Sequence, residues 1–196
     1  MRACERRMNR VHQAILIGSV LVASWLGMQA VHECGHVIGA LLTGGEIKQV
    51  VLNPLSFSRT DLGLNPTPLP VVWAGPIFGA LLPLVAWMFF AKANLTGAYL
   101  LRFFAGFCAL ANGVYLGFGS FGPVGDCAQI LQHGGQIWQL WLFAFITVPT
   151  GLRLWHGQGI HFGFGPAHGH VDRCATYTTL LVALFLIAFG FIIGGK

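Results

Sequence analysis

The sequence predicts an all-α polytopic membrane protein with about five transmembrane helices and a short strand or hairpin segment after the first. Three observations carry this. The 196 residues are 55% hydrophobic and 9% charged, whereas a soluble domain carries about 25% charged residues. Five apolar stretches approach or exceed the roughly 20 helical residues needed to cross a bilayer. Four of the eleven basic residues, Arg2, Arg6, Arg7 and Arg10, stand in the first ten positions, a pattern that orients membrane spans and is not a nucleic-acid surface.

The expected spans are roughly 13–43, 70–91, 97–118, 136–152 and 176–194, all within one membrane-embedded domain over 1–196. The first is overlong, so it tilts or projects beyond the hydrocarbon. Its basic lead resembles a signal peptide, but "GMQA" makes a poor cleavage site, and the apolar character runs on to Leu42. An uncleaved span is expected.

After it, Gly44 and Gly45 suit a helix C-terminus. "IKQVVL" alternates weakly like a strand, and prolines and asparagines then mark turns. This 44–68 segment is either an ordinary connecting hairpin or an edge on which an extended peptide could add a strand. "GFGSFGPVGD" breaks the chain between the third and fourth spans. The fourth span is short, and "VPTG" at 148–151 predicts a bent or frayed end.

Residues 155–174 form a Gly-rich loop holding His156, His161, His168 and His170. Such tracts bind transition metals in some proteins, but no spacing here fixes a ligand set, and plain loop is expected. Arg102, near the start of the third span, is expected to snorkel to the headgroups. Trp138, Trp141 and Trp155 are expected to anchor the fourth span at an interface. The five cysteines are scattered, without a C-x-x-C pair. Small core residues are expected, not disulfides or a thiolate metal cluster.

The chemistry-bearing stretch is "AVHECGHVIGA", residues 30–40. His32, Glu33 and His36 spell H-E-x-x-H. On a helix the two histidines, four residues apart, project from one face and can both bind one zinc ion. Glu33 is one step round, placed to act as a base beside the metal. With eight histidines and three glutamates in the chain, chance produces this pattern roughly 0.005 times per chain. A buried polar cluster joining two helices is the plainer reading. Ionisable groups inside a span are costly and usually functional, which disfavours it.

Two histidines need a third protein ligand. Of the six acidic residues, only Asp126 adjoins an apolar span, at the opening of a helix after a Gly- and Pro-broken turn. That position suits a metal ligand and equally an N-cap. Asp61 and Glu46 lie in the 44–68 loop and are the alternative third ligands. His133, seven residues after Asp126, falls on the same helical face, although a surface position at the helix end is the simpler expectation.

These residues resemble the site-2 protease-like intramembrane zinc metalloproteases. The resemblance is carried by "HECGHVIGALLTGG", the strand-like "EIKQVVL", "WAGPIFGALLPL" and the aspartate opening a later helix. It covers about residues 13–135. It implies one zinc ion held by His32, His36 and Asp126, with Glu33 as catalytic base. It further implies hydrolysis of peptide bonds in or near the transmembrane segments of membrane-protein substrates. The chain departs from the family pattern in three places. "SFGPVGDC" lacks the usual asparagine before its proline and has Cys127 for a glycine, and Gly79 stands where the family often has asparagine. Asn112 matches an asparagine often found in the preceding span, which implies a substrate-binding role. No soluble module interrupts the chain, so substrate choice rests on the membrane core or on a regulatory membrane partner.

Two other classes stay open: a membrane metal transporter using His32, His36 and the His-rich loop, and an inactive scaffold of the same fold. A transporter has no need of Glu33 and would place several polar ligands in its spans, but the second to fifth spans are nearly devoid of acidic residues. The expected location is the plasma membrane. An N-inside arrangement puts Arg2, Arg6, Arg7, Arg10, Lys92, Arg153 and Arg173 inside and Lys48, Arg59 and Lys196 outside, which favours a cytoplasmic N-terminus. The family resemblance places the metal nearer the cytosol, which argues for the reverse.

Overall fold

A computed structural model describes residues 2–194, with side chains from Met8 onward. The side chains of Arg2, Cys4, Arg6 and Arg7, and the whole of Lys196, lie outside the described residues. The order is α1 (Arg2–Thr43), β1 (Ile47–Val51), β2 (Arg59–Leu62), α2 (Pro68–Lys92), α3 (Ala98–Gly119), α4 (Gly125–Gln132), α5 (Ile137–Trp155) and α6 (Arg173–Gly194). Two 3-10 turns, Gln158–Phe162 and Gly165–Ala167, precede α6. Among the described residues, five helices are long and apolar enough to cross a membrane: Met8–Thr43 within α1, and α2, α3, α5 and α6. The chain is therefore an all-α multi-pass membrane protein with one small hairpin.

The 36 membrane-competent residues of α1 extend about 54 Å at 1.5 Å per residue, well beyond the roughly 30 Å hydrocarbon layer. Helix α1 ends at Gly44, whose φ of +74° is the left-handed conformation that terminates helices and favours glycine. The strands pair antiparallel, with Val50 opposite Thr60 and Val51 opposite Arg59.

The hairpin does not stay at the end of α1. It folds back along the helix: the Ser58 amide and hydroxyl both donate to Gln29 Oε1, at 2.8 and 3.0 Å. Gln29 lies 14 residues before Thr43, about 21 Å down the helix axis. The turn packs on α6, where the backbone of Leu52 and Asn53 crosses Gly190 and Gly194 with no room for a Cβ. The 44–68 segment is thus re-entrant, reaching into the depth of the helices.

Helix α1 packs on α2 and α6, and α3 packs on α5. The α1–α2 contact depends on small residues: a Cβ on Gly35 would strike the Ala74 carbonyl, and one on Gly39 would come within 2.7 Å of the Ala74 Cβ. Close helix approach through small residues is the usual membrane solution, since lipid gives apolar side chains no reason to prefer one another. A polar seam ties α1 to α6 and the preceding loop. His12 bonds the Tyr177 hydroxyl (3.1 Å), Ser19 bonds Thr179 (2.8 Å), and Gln13 donates to the Phe162 carbonyl (2.8 Å).

Several expectations need correction. Helix α5 runs unbroken through Pro149 to Trp155, with the Thr147 and Thr150 hydroxyls donating to the Phe143 and Ile146 carbonyls on either side of it. Trp155 faces inward, stacked on Phe103 at 5.0 Å and donating to its carbonyl. Trp138 and Trp141 are exposed. Arg102 turns onto the end of α5, donating to the His156 carbonyl at 3.0 Å. A cation at free C-terminal carbonyls satisfies them and opposes the helix dipole. Of the cysteines with described side chains, Cys108 and Cys127 are buried, but Cys34 and Cys174 are exposed.

Candidate metal centre

His32 and His36 stand one turn apart on α1, facing α2 and α3. Each imidazole is aimed by its outer nitrogen. His36 Nδ1 donates to the Val71 carbonyl of α2 (2.9 Å), and a carbonyl can only accept. His32 Nδ1 meets Asn112 Oδ1 of α3 (2.7 Å), while Asn112 Nδ2 donates to the Cys108 carbonyl (2.9 Å). The Cys108 carbonyl fixes which way the Asn112 amide points, and the amide then fixes the protonated nitrogen of His32. Both Nδ1 atoms carry hydrogens, so in the neutral rings both Nε2 lone pairs face inward.

The third inward group is Asp126. A short helix carries it, and that helix is held by what it buries. Cys127 and Ile130 pack with Val72, Leu116 and Leu140 in a core shared by α2, α3, α4 and α5. Gly125, at φ +55°, turns the chain so that the Asp126 amide donates to the Tyr115 hydroxyl (2.9 Å). Asp126 makes no N-cap bond: the cap residue of α4 is Val124. Its carboxylate instead lies 2.8 Å from His32 Nε2 and 3.5 Å from His36 Nε2, and the two Nε2 atoms are 3.2 Å apart. Ligand atoms bound tetrahedrally at about 2.0–2.1 Å lie about 3.3 Å from one another, so the triangle fits one ion. A bound cation, or a proton carried on a ring Nε2, would balance the lone pairs that converge here.

Glu33 is buried beside this triangle. Its Oε2 accepts a 2.7 Å hydrogen bond from the Thr60 hydroxyl on β2, so the re-entrant hairpin reaches the glutamate. Glycines make the room. A Cβ on Gly75 would overlap the His36 imidazole, and one on Gly79 would come within 2.8 Å of the Asn112 amide. The departure at Gly79 therefore complements Asn112: one small residue vacates the space that the amide fills.

Of the sequence-stated residues, His32, His36 and Asp126 come together, with Glu33 alongside. Asn112, read from the resemblance as a substrate-binding residue, is 1% exposed, and its amide bonds His32 and the Cys108 carbonyl. Asp61 pairs with Arg59 (3.2 Å) on β2, and Glu46 is spent on the Leu64 amide, so neither joins the triangle. His133 is exposed at the end of α4. The loop histidines are scattered: His170 bonds Asn9 (3.2 Å) and His161 stacks on Tyr99 at 4.5 Å. Among the described residues, His32, His36 and Asp126 form the one group of three metal-competent side chains.

Cys127, where the resemblance has glycine, packs against α3 at Gly119. Its thiol is pushed up to about 11 by burial and then by the Asp126 charge. Sequence reasoning missed Thr60, Tyr115, Val71 and Cys108 as partners of the site. Nothing in their local sequence marks them, because each is selected by a contact between elements.

No protein-family model, curated protein or solved structure matches the chain.

Proposed function

We propose that this protein is an intramembrane zinc metalloprotease of the site-2 protease-like kind, hydrolysing peptide bonds in or near the transmembrane segments of other membrane proteins. The observation that carries the reading is the convergence of His32 Nε2, His36 Nε2 and Asp126 Oδ2 on one point, with both imidazoles turned to it by hydrogen bonds on their far sides. These three residues would hold the zinc. When bound, the ion supplies Lewis acidity that polarises a carbonyl and acidifies water.

The remaining work falls to the chain itself. Glu33 takes a proton from the attacking water and returns it to the leaving amine, the ordinary task of a general base that then acts as acid. Thr60 donates to Oε2 and orients the carboxylate, leaving Oε1 to receive the proton. A helical substrate must first unwind, because its carbonyls are sheltered by backbone hydrogen bonds. The re-entrant hairpin lies at the right depth to pair with the unwound stretch as an added strand. Carriage of metal is disfavoured by composition: α2, α3, α5 and α6 contain no aspartate or glutamate, and a carrier has no use for Glu33.

The test is metal analysis by mass spectrometry on purified protein, paired with cleavage of a model transmembrane peptide reconstituted in the same vesicles. Wild type should carry one zinc per chain and cut the peptide. Glu33→Gln should keep the zinc and lose activity by about 10²–10⁴-fold, the usual contribution of a general base. Asp126→Ala should lose both. Zinc-free wild type, or full activity in Glu33→Gln, would overturn the proposal.

A further inference from the structure

At the other end of α1 from the metal centre, a cavity of about 250 Å³ opens between α1, α3 and the loop after α5. Its walls include Ile17, Val20 and Leu21 of α1, Phe103 of α3, and Trp155 of α5. One polar side chain lines it: Gln158, which is 2% exposed. Gln158 Nε2 donates to the Leu154 carbonyl (3.3 Å), which fixes the direction of the amide. Its Oε1 is buried and has no hydrogen-bond partner in the protein. An unpaired buried acceptor costs free energy comparable to a lost hydrogen bond, so a donor is called for.

Water suits the space poorly, since a buried water needs two to four polar partners and this cavity offers one. The orientation suits a lipid. Gln158 sits in the first turn beyond the end of α5, a helix long and apolar enough to cross a membrane. Gln13 of α1 is tied to the same loop, and Ile17, Val20 and Leu21 lead from there toward the membrane interior. Leu21 is 45% exposed, so the cavity opens sideways on the face of α1.

We propose that this cavity binds one acyl chain of a bilayer lipid whose glycerol hydroxyl or amide N–H donates to Gln158 Oε1. The site is independent of the metal centre and of the proposed protease activity.

The probe is 1-oleoylglycerol carrying a mid-chain diazirine, photolysed in phosphatidylcholine nanodiscs that hold the full-length protein. Adducts should map to the peptides containing Leu21 and Phe103. Unlabelled 1-oleoylglycerol should compete about fivefold or more better than methyl oleate, which has the same chain and no donor; that ratio reflects one neutral hydrogen bond. Gln158→Leu should erase the preference, and Val20→Phe, which fills the cavity, should reduce labelling. Equal competition by methyl oleate on the wild type, adducts confined to outward residues such as Leu81 and Phe145, or no adduct would each overturn the proposal. The wild-type competition decides even if a variant fails to fold.

Discussion

His32 and His36 have four ring nitrogens between them: Asn112 and the Val71 carbonyl take the two Nδ1 atoms, and Asp126 faces both Nε2 atoms. The H-E-x-x-H spacing is visible in the chain because a helix has a fixed period. The acceptors behind the rings are not, because they depend on how α2 and α3 are set against α1. Asn112 shows the difference. The resemblance implied substrate binding, yet the amide is turned onto the back of His32, where outer partners of metal-ligating histidines usually sit. Asn112→Leu should therefore lower zinc affinity by about 10–100-fold, measured by competition with a chelator. Asn112→Asp should retain most of it, since the carboxylate still accepts from Nδ1. Unchanged affinity in Asn112→Leu would show that His32 needs no such partner.

At the scale of elements, the hairpin and α4 carry the two groups that α1 lacks. The strand at 47–51 was legible from alternation, and the glycines at 44 and 45 marked the end of α1. The return of the hairpin to the level of Gln29 and Glu33 was not, since it depends on polar contacts between segments distant in sequence. Thr60→Val should reduce peptide cleavage roughly 10-fold, in line with a lost hydrogen bond to a charged group, and leave zinc content unchanged. Thr60→Ser should recover it, and failure of that rescue would reduce Thr60 to packing. The α1–α2 crossing makes a second prediction. Gly75→Leu places a side chain where the His36 imidazole stands; overpacking of this kind costs about 1–3 kcal/mol. Zinc should be lost while circular dichroism still reports a helical protein. Zinc retained at full stoichiometry would mean that α2 can move away from α1 without cost.

For the whole molecule, orientation in the membrane sets which face the His32, His36 and Asp126 triangle lies nearer. His36 packs near Val71, early in α2, so the centre lies toward the end of the bundle where α1 stops and α2 starts. An N-inside chain then puts it nearer the outer face, and the family resemblance puts it nearer the cytosol. The re-entrant hairpin crosses no further layer and leaves the five-span count intact. Ser58 is tied to Gln29, so a more accessible hairpin reporter is Leu64, 86% exposed. Leu64→Cys should react with an impermeant maleimide from outside intact cells, and Ile160→Cys, in the loop between α5 and α6, should be protected. The opposite pattern would invert the protein and give the cytosol the nearer access to the metal.

The sequence by itself determined the class of the molecule, the five spans to within a few residues, and the pair of histidines with their glutamate. Each of these is a local property: hydropathy over a bilayer's thickness, or a helical period over one turn. Only the tertiary structure decided that Asp126, 90 residues away, faces the histidines while Asp61 and Glu46 do not. It also decided that Asn112 serves His32, and that the hairpin reaches Glu33. Those outcomes come from glycine-mediated helix approach and the packing of Cys127 and Ile130. Both are contacts between surfaces, and no single segment carries the information for either.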